Sequence, residues 1–470
     1  MTSNRRWLAV AGTIVLCVIV SLAAGLLITQ LGGLISLGLV AGLAFGVWLL
    51  RDIDVGYLAL IAVICLLPFG ALPINVGFKP TFLDLIVGAL FFVWLTQRVT
   101  GRLGKFAAAP VGLPVLAFLA LALASFVAGL GHAPLTQTVA RHFAEVLLSI
   151  ILFFMVVDTV RDEARLAKLA RAIMIAGFLA SLIAIVLYIL SDRTTMELLS
   201  RLRVFGYPEG PGVLRYIRDD PSLAQRATGT SVDPNVLGGL LIMTLSVSAA
   251  QAFGSRPVVR RRWAVLMASA MATALVLTLS RGSLIGAGVA LLGLGVLRYR
   301  KILPVLAAAA IFMLILPQTQ DYVAHFFEGV QGEDLATQMR FGEYRDALTL
   351  IGRYPVFGVG FTGSPDLDTY LGVANVYLTI AGQMGFVGLA AFLLVMLTLF
   401  AWSWRARQPV RGRPALEPMW WGLHAAIAGA LVGGVFDHYF INLDFHHSVA
   451  FFWLFVGLAA SATRSVISEQ

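Results

Sequence analysis

Charge is what this sequence has least of. Only 13% of its 470 residues are Asp, Glu, Lys or Arg, against roughly 25% in soluble domains, while 59% are hydrophobic. A soluble fold of this size is excluded, because too few ionised side chains remain to clothe its surface. Cysteine is nearly as scarce. The two present, Cys17 and Cys65, both lie in apolar runs, which excludes a disulfide framework and a thiolate metal site and leaves them as core thiols. Lysine is rare, so the cationic groups are almost all arginine. The chain has no internal repeat and no low-complexity tract, and its charged connections are too short to hold a nucleotide-binding domain.

What is there, along almost the whole length, is apolar runs of about 17 to 25 residues, each long enough to cross a hydrocarbon core of ~30 Å. They predict an all-α polytopic membrane protein with about 14 transmembrane helices, near 7–29, 31–50, 55–74, 82–97, 110–131, 143–160, 169–190, 235–254, 263–280, 283–299, 302–317, 375–403, 418–436 and 448–463. The first run is too long for a cleaved signal peptide and reads as a retained helix.

Charge sign orients these spans. With Arg5 and Arg6 inside, alternate connections hold Arg98/Arg102/Lys105, Arg161/Arg165/Lys168/Arg171, Arg256/Arg260/Arg261/Arg262, Arg298/Arg300/Lys301 and Arg405/Arg407/Arg411/Arg413. Shifting the frame by one helix destroys that alternation, so both termini are predicted to be cytoplasmic. The net charge of +9 is therefore mostly topology and gives no reason to expect a nucleic-acid partner. The organisation reads as N-terminal helices over 1–190, an outer loop with an amphipathic segment over 191–234, helices with an arginine hairpin over 235–317, a large outer loop over 318–374, and C-terminal helices over 375–470. Outer loops this long are uncommon unless functional.

The outer side also carries arginines that the topology does not require. Arg281 stands in Leu279-Ser280-Arg281-Gly282-Ser283 between two apolar runs, where an intramembrane guanidinium costs roughly 2.5 to 3.5 kcal/mol and needs an anionic partner. The bland alternative is a turn whose arginine snorkels to the interface. Arg226 precedes a Thr/Ser cluster, and Asp233-Pro234-Asn235 then opens a span as helix-capping residues do. Arg340 and Arg345 share a helical stretch ending before Pro355; five residues apart is about 140° around a helix, so a straight helix aims only one of them at a given phosphate. The last outer turn, Asp437-His438-Tyr439 through Asp444-Phe445-His446-His447, gathers acids and histidines without metal-ligand spacing, so no metal is expected there. A hydroxyl-binding site with a carboxylate or histidine base is the sharper reading.

Four segments, RATGTSVDPNVLGG, LTLSRGSLIGAG, MRFGEYRDALTLIGRYPVFGVGF and NVYLTIAGQMGFVGL, resemble in order the core of the bacterial O-antigen ligase/polymerase family over roughly residues 225–400. The resemblance implies a GT-C-like glycosyltransferase of the bacterial inner membrane with its active site facing the periplasm. It would move or polymerise glycan from a polyprenyl-pyrophosphate carrier to a glycan or lipid acceptor, among membrane lipids, without metal or other cofactor and with inversion. Chain-length regulators or other glycan-assembly proteins would be its companions. In that scheme Arg226, Arg281 and Arg340 or Arg345 hold the pyrophosphate, and Asn375, Tyr377 and His446 meet the acceptor.

The family's usual histidine before Asn-x-Tyr-Leu is here Ala374, which moves the base to Asp437, His438 or Glu343, with Asp233 and His446 also available. Ligase activity in the strict sense becomes less expected than glycan polymerisation. Two other classes stay open on the residues alone: a transporter or flippase of anionic lipids or solutes, and a non-catalytic partner in a glycan-assembly complex.

Overall fold

The computed structural model describes residues 29, 38, 42, 44–49, 51–73, 78–315, 335–363 and 372–467. Its backbone falls into two units, Met1–Gly56 and Tyr57–Gln470. In the first, the described stretch 44–49 is helical; the expected spans near 7–29 and 31–50, with Cys17, lie largely or wholly outside the described residues. The second carries the bundle.

The helices, in chain order, are α1 (Ile53–Leu66), α2 (Phe82–Val99), α3 (Gly112–Gly129), α4 (Gln137–Thr159), α5 (Glu163–Ile189), α6 (Asp192–Ser200), α7 (Pro234–Phe253), α8 (Arg261–Leu277), α9 (Arg281–Leu297), α10 (Ile302–Ile315), α11 (Leu335–Arg353), α12 (Val376–Ala406), α13 (Leu416–Gly433) and α14 (His446–Ile467). Two-residue strands β1 (Arg215–Tyr216) and β2 (Gln225–Arg226) pair antiparallel, with Arg215 opposite Arg226.

Among the described residues, α2, α3, α4, α5, α7, α12 and the segment Leu443–Ile467 are long and apolar enough to span a membrane, seven in all, and α1, α9 and part of α10 are shorter apolar helices. The protein is thus an all-α, multi-pass membrane protein, with fewer full-length spans among the described residues than the fourteen expected. α1 ends at Leu66, well short of residue 74, because Pro68 and Gly70 interrupt the run. The amphipathic segment of the loop over 191–234 is α6, followed by a 3₁₀ turn from Arg201 to Phe205.

α7 is the buried centre. Nearly all its side chains are covered, and it packs on α13, α8, α9 and α5. Small residues permit this closeness: a Cβ on Gly286 of α9 would sit 2.6 Å from the carbonyl oxygen of Gly429 on α13. In a membrane, where lipid competes with apolar side chains for contact, such backbone approach is a main source of helix association. Cys65 is a buried free thiol.

The end that the charge pattern predicts to face the cytoplasm is tied by ion pairs. Asp158 binds Arg98 and Arg161, and also accepts from Trp94 Nε1 at 2.9 Å and the Ala107 amide at 3.1 Å. Arg298 pairs with buried Glu417. The loops at the opposite end carry the candidate site.

α12 is not one straight rod. Gly385 has φ +67° inside it, and the Pro355–Gly360 strap fills the break. The Phe386 amide donates to Pro355 O, and the amides of Val359 and Gly360 donate to the carbonyls of Gly382 and Gln383. The break is thereby hydrogen-bonded within the protein, as a lipid environment demands of any interrupted span.

Candidate active site

β2 lies against the end of α8. The Ala227 amide donates to Leu277 O at 2.9 Å, and Arg226 Nε donates to Thr278 O at 2.9 Å. Arg226 Nη2 donates to Asn235 Oδ1 at 2.8 Å. Asp233 caps α7, its Oδ1 accepting the amides of Asn235 and Val236, with Pro234 as the first helical residue. The Asp-Pro-Asn motif is therefore a helix start, and the same asparagine also orients a guanidinium.

Thr278 leads into the α8–α9 turn. Leu279 adopts φ +50°, a conformation a branched side chain rarely takes, and Ser280 precedes Arg281 at the first position of α9. Such strain persists only where surroundings impose it, and it clusters at functional sites. Gly282, next to Arg281, is where the last outer loop docks: a Cβ there would lie 2.6 Å from Phe436 Cβ. Gly239 of α7 does the same for Tyr439, whose Cε2 would be 2.1 Å from an added Cβ. The loop from Gly434 to Phe445 thus lies over the starting turns of α7 and α9.

That docking brings Asp437 into the field of Asp233, Arg226 and Arg340. Its side chain is 14% exposed, and Oδ1 accepts the His438 amide at 2.8 Å. Burial, reinforced by Asp233, pushes the Asp437 carboxyl up to about 7 against the opposing pull of Arg340 and Arg226. Burial also lowers the neighbouring His438 imidazole, so it is held neutral, and it raises the Tyr439 phenol. A carboxyl that titrates near neutrality beside two guanidinium groups can take up a proton while the cations hold an anion.

Helix α11 runs unbroken through Arg340 and Arg345 and ends before Pro355, so the two arginines diverge. Arg340, half-buried, acts on both Asp437 and His438, whereas Arg345 is exposed. Glu343 Oε2 accepts the Ala374 amide at 3.1 Å, and Tyr344 donates its hydroxyl to Val435 O at 3.3 Å. Asn375 caps α12: its Oδ1 accepts the Tyr377 and Leu378 amides, and its Nδ2 donates to Val435 O at 2.9 Å. The Val376 amide reaches the carbonyls of both Gly434 and Asp437. Tyr377 spends its hydroxyl on Leu431 O at 2.8 Å. Asn375 and Tyr377, the residues expected to meet the acceptor, use these polar atoms to fix the loop that carries Asp437.

Nor does His446 join them. It sits at the start of α14 between Asp84 of α2 and Glu145 of α4, with Arg141 beside both carboxylates. Asp84, Glu145 and His446 bring ligand-type atoms within 4.8 Å of one another. Sequence reading missed Asp84, Arg141 and Glu145. Their signal was available, since each is an ionisable residue in the opening turns of an apolar span, but nothing local tells that three remote helices meet there.

Residues 266–393 match the family model described as O-antigen ligase. This segment holds Arg281, Arg340, Glu343, Arg345, Asn375 and Tyr377, so the resemblance to the O-antigen ligase/polymerase family holds across α8 to the first half of α12. It supports a ligase- or polymerase-type, glycan-handling function at a multi-pass bacterial inner membrane protein. No curated protein matches the chain.

Proposed function

From the O-antigen ligase match over residues 266–393, we propose that the protein is a membrane glycosyltransferase that transfers or polymerises glycan from a polyprenyl-pyrophosphate carrier, on the periplasmic face. The observation that carries the reading is the convergence of Arg226, Arg340 and Asp437 in one electrostatic neighbourhood beside the Arg281 turn. Departure of a lipid pyrophosphate concentrates negative charge on its bridging oxygen. Preorganised guanidinium groups stabilise that charge without moving at the moment of reaction.

In the proposed step an acceptor hydroxyl attacks the anomeric carbon from the side opposite the pyrophosphate. Its proton passes to Asp437, a new glycosidic C–O bond forms, and the C1–O bond to phosphate breaks. The lipid pyrophosphate leaves with the electron pair, held by Arg226, Arg281 and Arg340. One direct displacement inverts the anomeric centre. His438, held neutral, is the alternative base on the same loop, while Glu343 positions Ala374, the residue at the family's usual histidine place. Arg345 lies away from this centre. The scheme gives no role to a metal ion.

Reconstitution tests the reading. Purified protein in liposomes, given a polyprenyl-pyrophosphate-linked oligosaccharide, should yield elongated or transferred glycan. Arg281→Ala should lower that rate roughly 100- to 1,000-fold, as removal of one oxyanion ligand does, while insertion and purification stay normal. Full activity in the variant would overturn the assignment.

A transporter or flippase of anionic lipids is the second reading, and the break in α12 at Gly385 favours it, because discontinuous helices mark transport sites. The same liposomes separate the two: a flippase moves the lipid-linked glycan across the bilayer with its size unchanged.

A further inference from the structure

A second polar centre lies at the same end of the bundle, between the opening turns of α2, α4 and α14. Arg141 Nη2 binds Asp84 Oδ2 at 2.7 Å, and its Nε binds Glu145 Oε1 at 2.6 Å. Asp84 Oδ1 and Glu145 Oε2 are buried and take no hydrogen bond from an N–H or hydroxyl of the protein, although the two carboxyls lie close enough to share a proton. These two face opposite edges of one imidazole, His446 Nε2 at 3.7 Å and His446 Nδ1 at 3.4 Å. Glu145 is only 8% exposed. Buried carboxylate oxygens with acceptor capacity to spare favour a ligand that brings hydrogen-bond donors.

These side chains open into a cavity of about 150 Å³, room for roughly five waters at ~30 Å³ each or for one sugar ring. Leu83 and Val87 of α2 and Leu148 of α4 line it as well. The cavity is therefore amphipathic, lined by hydrogen-bonding groups and by hydrocarbon side chains. It adjoins the candidate active site through the α14 loop, where Asp444 Oδ1 lies 3.5 Å from His142 Nδ1 and acts electrostatically on His438.

A divalent cation is one occupant the carboxylates and imidazole could ligate. Against it stands Arg141, whose guanidinium already binds both carboxylates and would repel a second cation a few ångströms away. A neutral group with several hydroxyls meets no such repulsion. It can donate to Asp84 Oδ1 and Glu145 Oε2 and accept from the guanidinium. We propose that this cavity binds the hydroxyls of a saccharide or polyol on the acceptor side of the reaction, with any attached alkyl chain lying along Leu83, Val87 and Leu148. The acceptor assignment rests on the glycosyltransferase reading; the binding itself does not.

The test uses the full-length protein in nanodiscs and a glucoside whose alkyl chain carries a photoreactive diazirine. Labelling should map to α2 and α4 around Leu83–Val87 and Leu148. Excess octyl glucoside should compete, octanol should not, and free glucose should compete weakly if the alkyl chain contributes. Glu145→Gln and His446→Asn should each lower labelling at least tenfold with thermal melting little changed. Labelling that maps elsewhere, or that octanol displaces as well as octyl glucoside does, would overturn the proposal. So would stoichiometric Mn²⁺ binding that Glu145→Gln abolishes and that leaves the cavity closed to the glucoside.

The two readings fail separately. Arg281→Ala should lower glycan transfer roughly 100- to 1,000-fold and leave this labelling intact. A wild-type protein that labels here yet transfers no glycan would sink the enzyme and keep the pocket.

Discussion

Arg226 and Asn235 are joined side chain to side chain at 2.8 Å, across the turn that opens α7. The same guanidinium donates from Nε to Thr278 O at 2.9 Å, so two nitrogens of one planar group are fixed by the start of α7 and the cap of α8. This is an arrangement only arginine can make, since a lysine ammonium has no fork.

Arg226→Lys therefore retains the charge but loses its aim. Hydrogen bonds to a charged group are worth about 1.5 to 3 kcal/mol, so glycan transfer should fall roughly ten- to 100-fold. Asn235→Ala should reproduce part of the loss with Arg226 intact. Equal activity of the lysine variant and wild type in the liposome assay would mean that charge alone matters here.

Arg340 and Arg345 give a contrast within one helix. Arg340, half-buried, acts electrostatically on Asp437 and His438, while Arg345 is exposed. Arg340→Ala should lower transfer by two orders of magnitude or more. Arg345→Ala should stay within about twofold, a near-neutral surface change. Steady-state rates of the two purified variants decide this, and the reverse ranking would move the phosphate to the other face of α11.

Most of the bundle was legible in the sequence, because span length and hydrophobicity are local properties. The expected span at 82–97 is Phe82–Val99, and the one at 235–254 is Pro234–Phe253, closed at its start by Asp233. The helical stretch before Pro355 is α11, and the proline ends it. Arg226 and Arg281 drew attention because an arginine in or beside an apolar span needs an explanation. The contacts among these residues were another matter. Nothing in the order of residues tells that Phe436 covers Gly282, or that Asn375 spends its polar atoms on a cap and on Val435. The meeting of Asp84, Glu145 and His446 depends on three helices far apart in the chain. Non-local packing decides such juxtapositions, and local pattern does not carry it.

The raised carboxyl of Asp437 predicts a pH profile. A base must be deprotonated to act, so transfer should climb with pH along a limb centred near 7 and level off above it. Asp437→Asn should remove both that limb and most of the activity. Stability should run the other way. A native carboxyl near 7 holds a proton that the unfolded chain gives up near 4. Its stabilising contribution is full below about 4 and is lost as pH rises through 7. Asp437→Asn should therefore melt higher than wild type at pH 8 and nearly equally at pH 4. An unchanged pH–rate limb in a still-active asparagine variant would take the proton away from Asp437.

The docking of the Gly434–Phe445 loop rests on two glycines, and each is a steric test of the site. A Cβ at Gly282 would stand 2.6 Å from Phe436 Cβ, and one at Gly239 would stand 2.1 Å from the Tyr439 ring. Neither φ is in the left-handed region, so alanine strains no local backbone there and should even favour the helix by about 0.5 to 1 kcal/mol. The clash acts on the loop instead, at about 1 to 3 kcal/mol for an overpacked contact. Phe436 Cβ is next to the main chain and cannot swing aside, so Gly282→Ala must lift the loop backbone. Tyr439 is a buried ring with nowhere to rotate. Both variants should insert normally yet lose transfer, because lifting the loop withdraws Asp437 from Arg226 and Arg340. Gly288→Ala on the same helix, where an added Cβ meets nothing within 4 Å, is the control and should keep full activity. If Gly282→Ala matched that control, Asp437 would not need its present place, and the base would lie elsewhere.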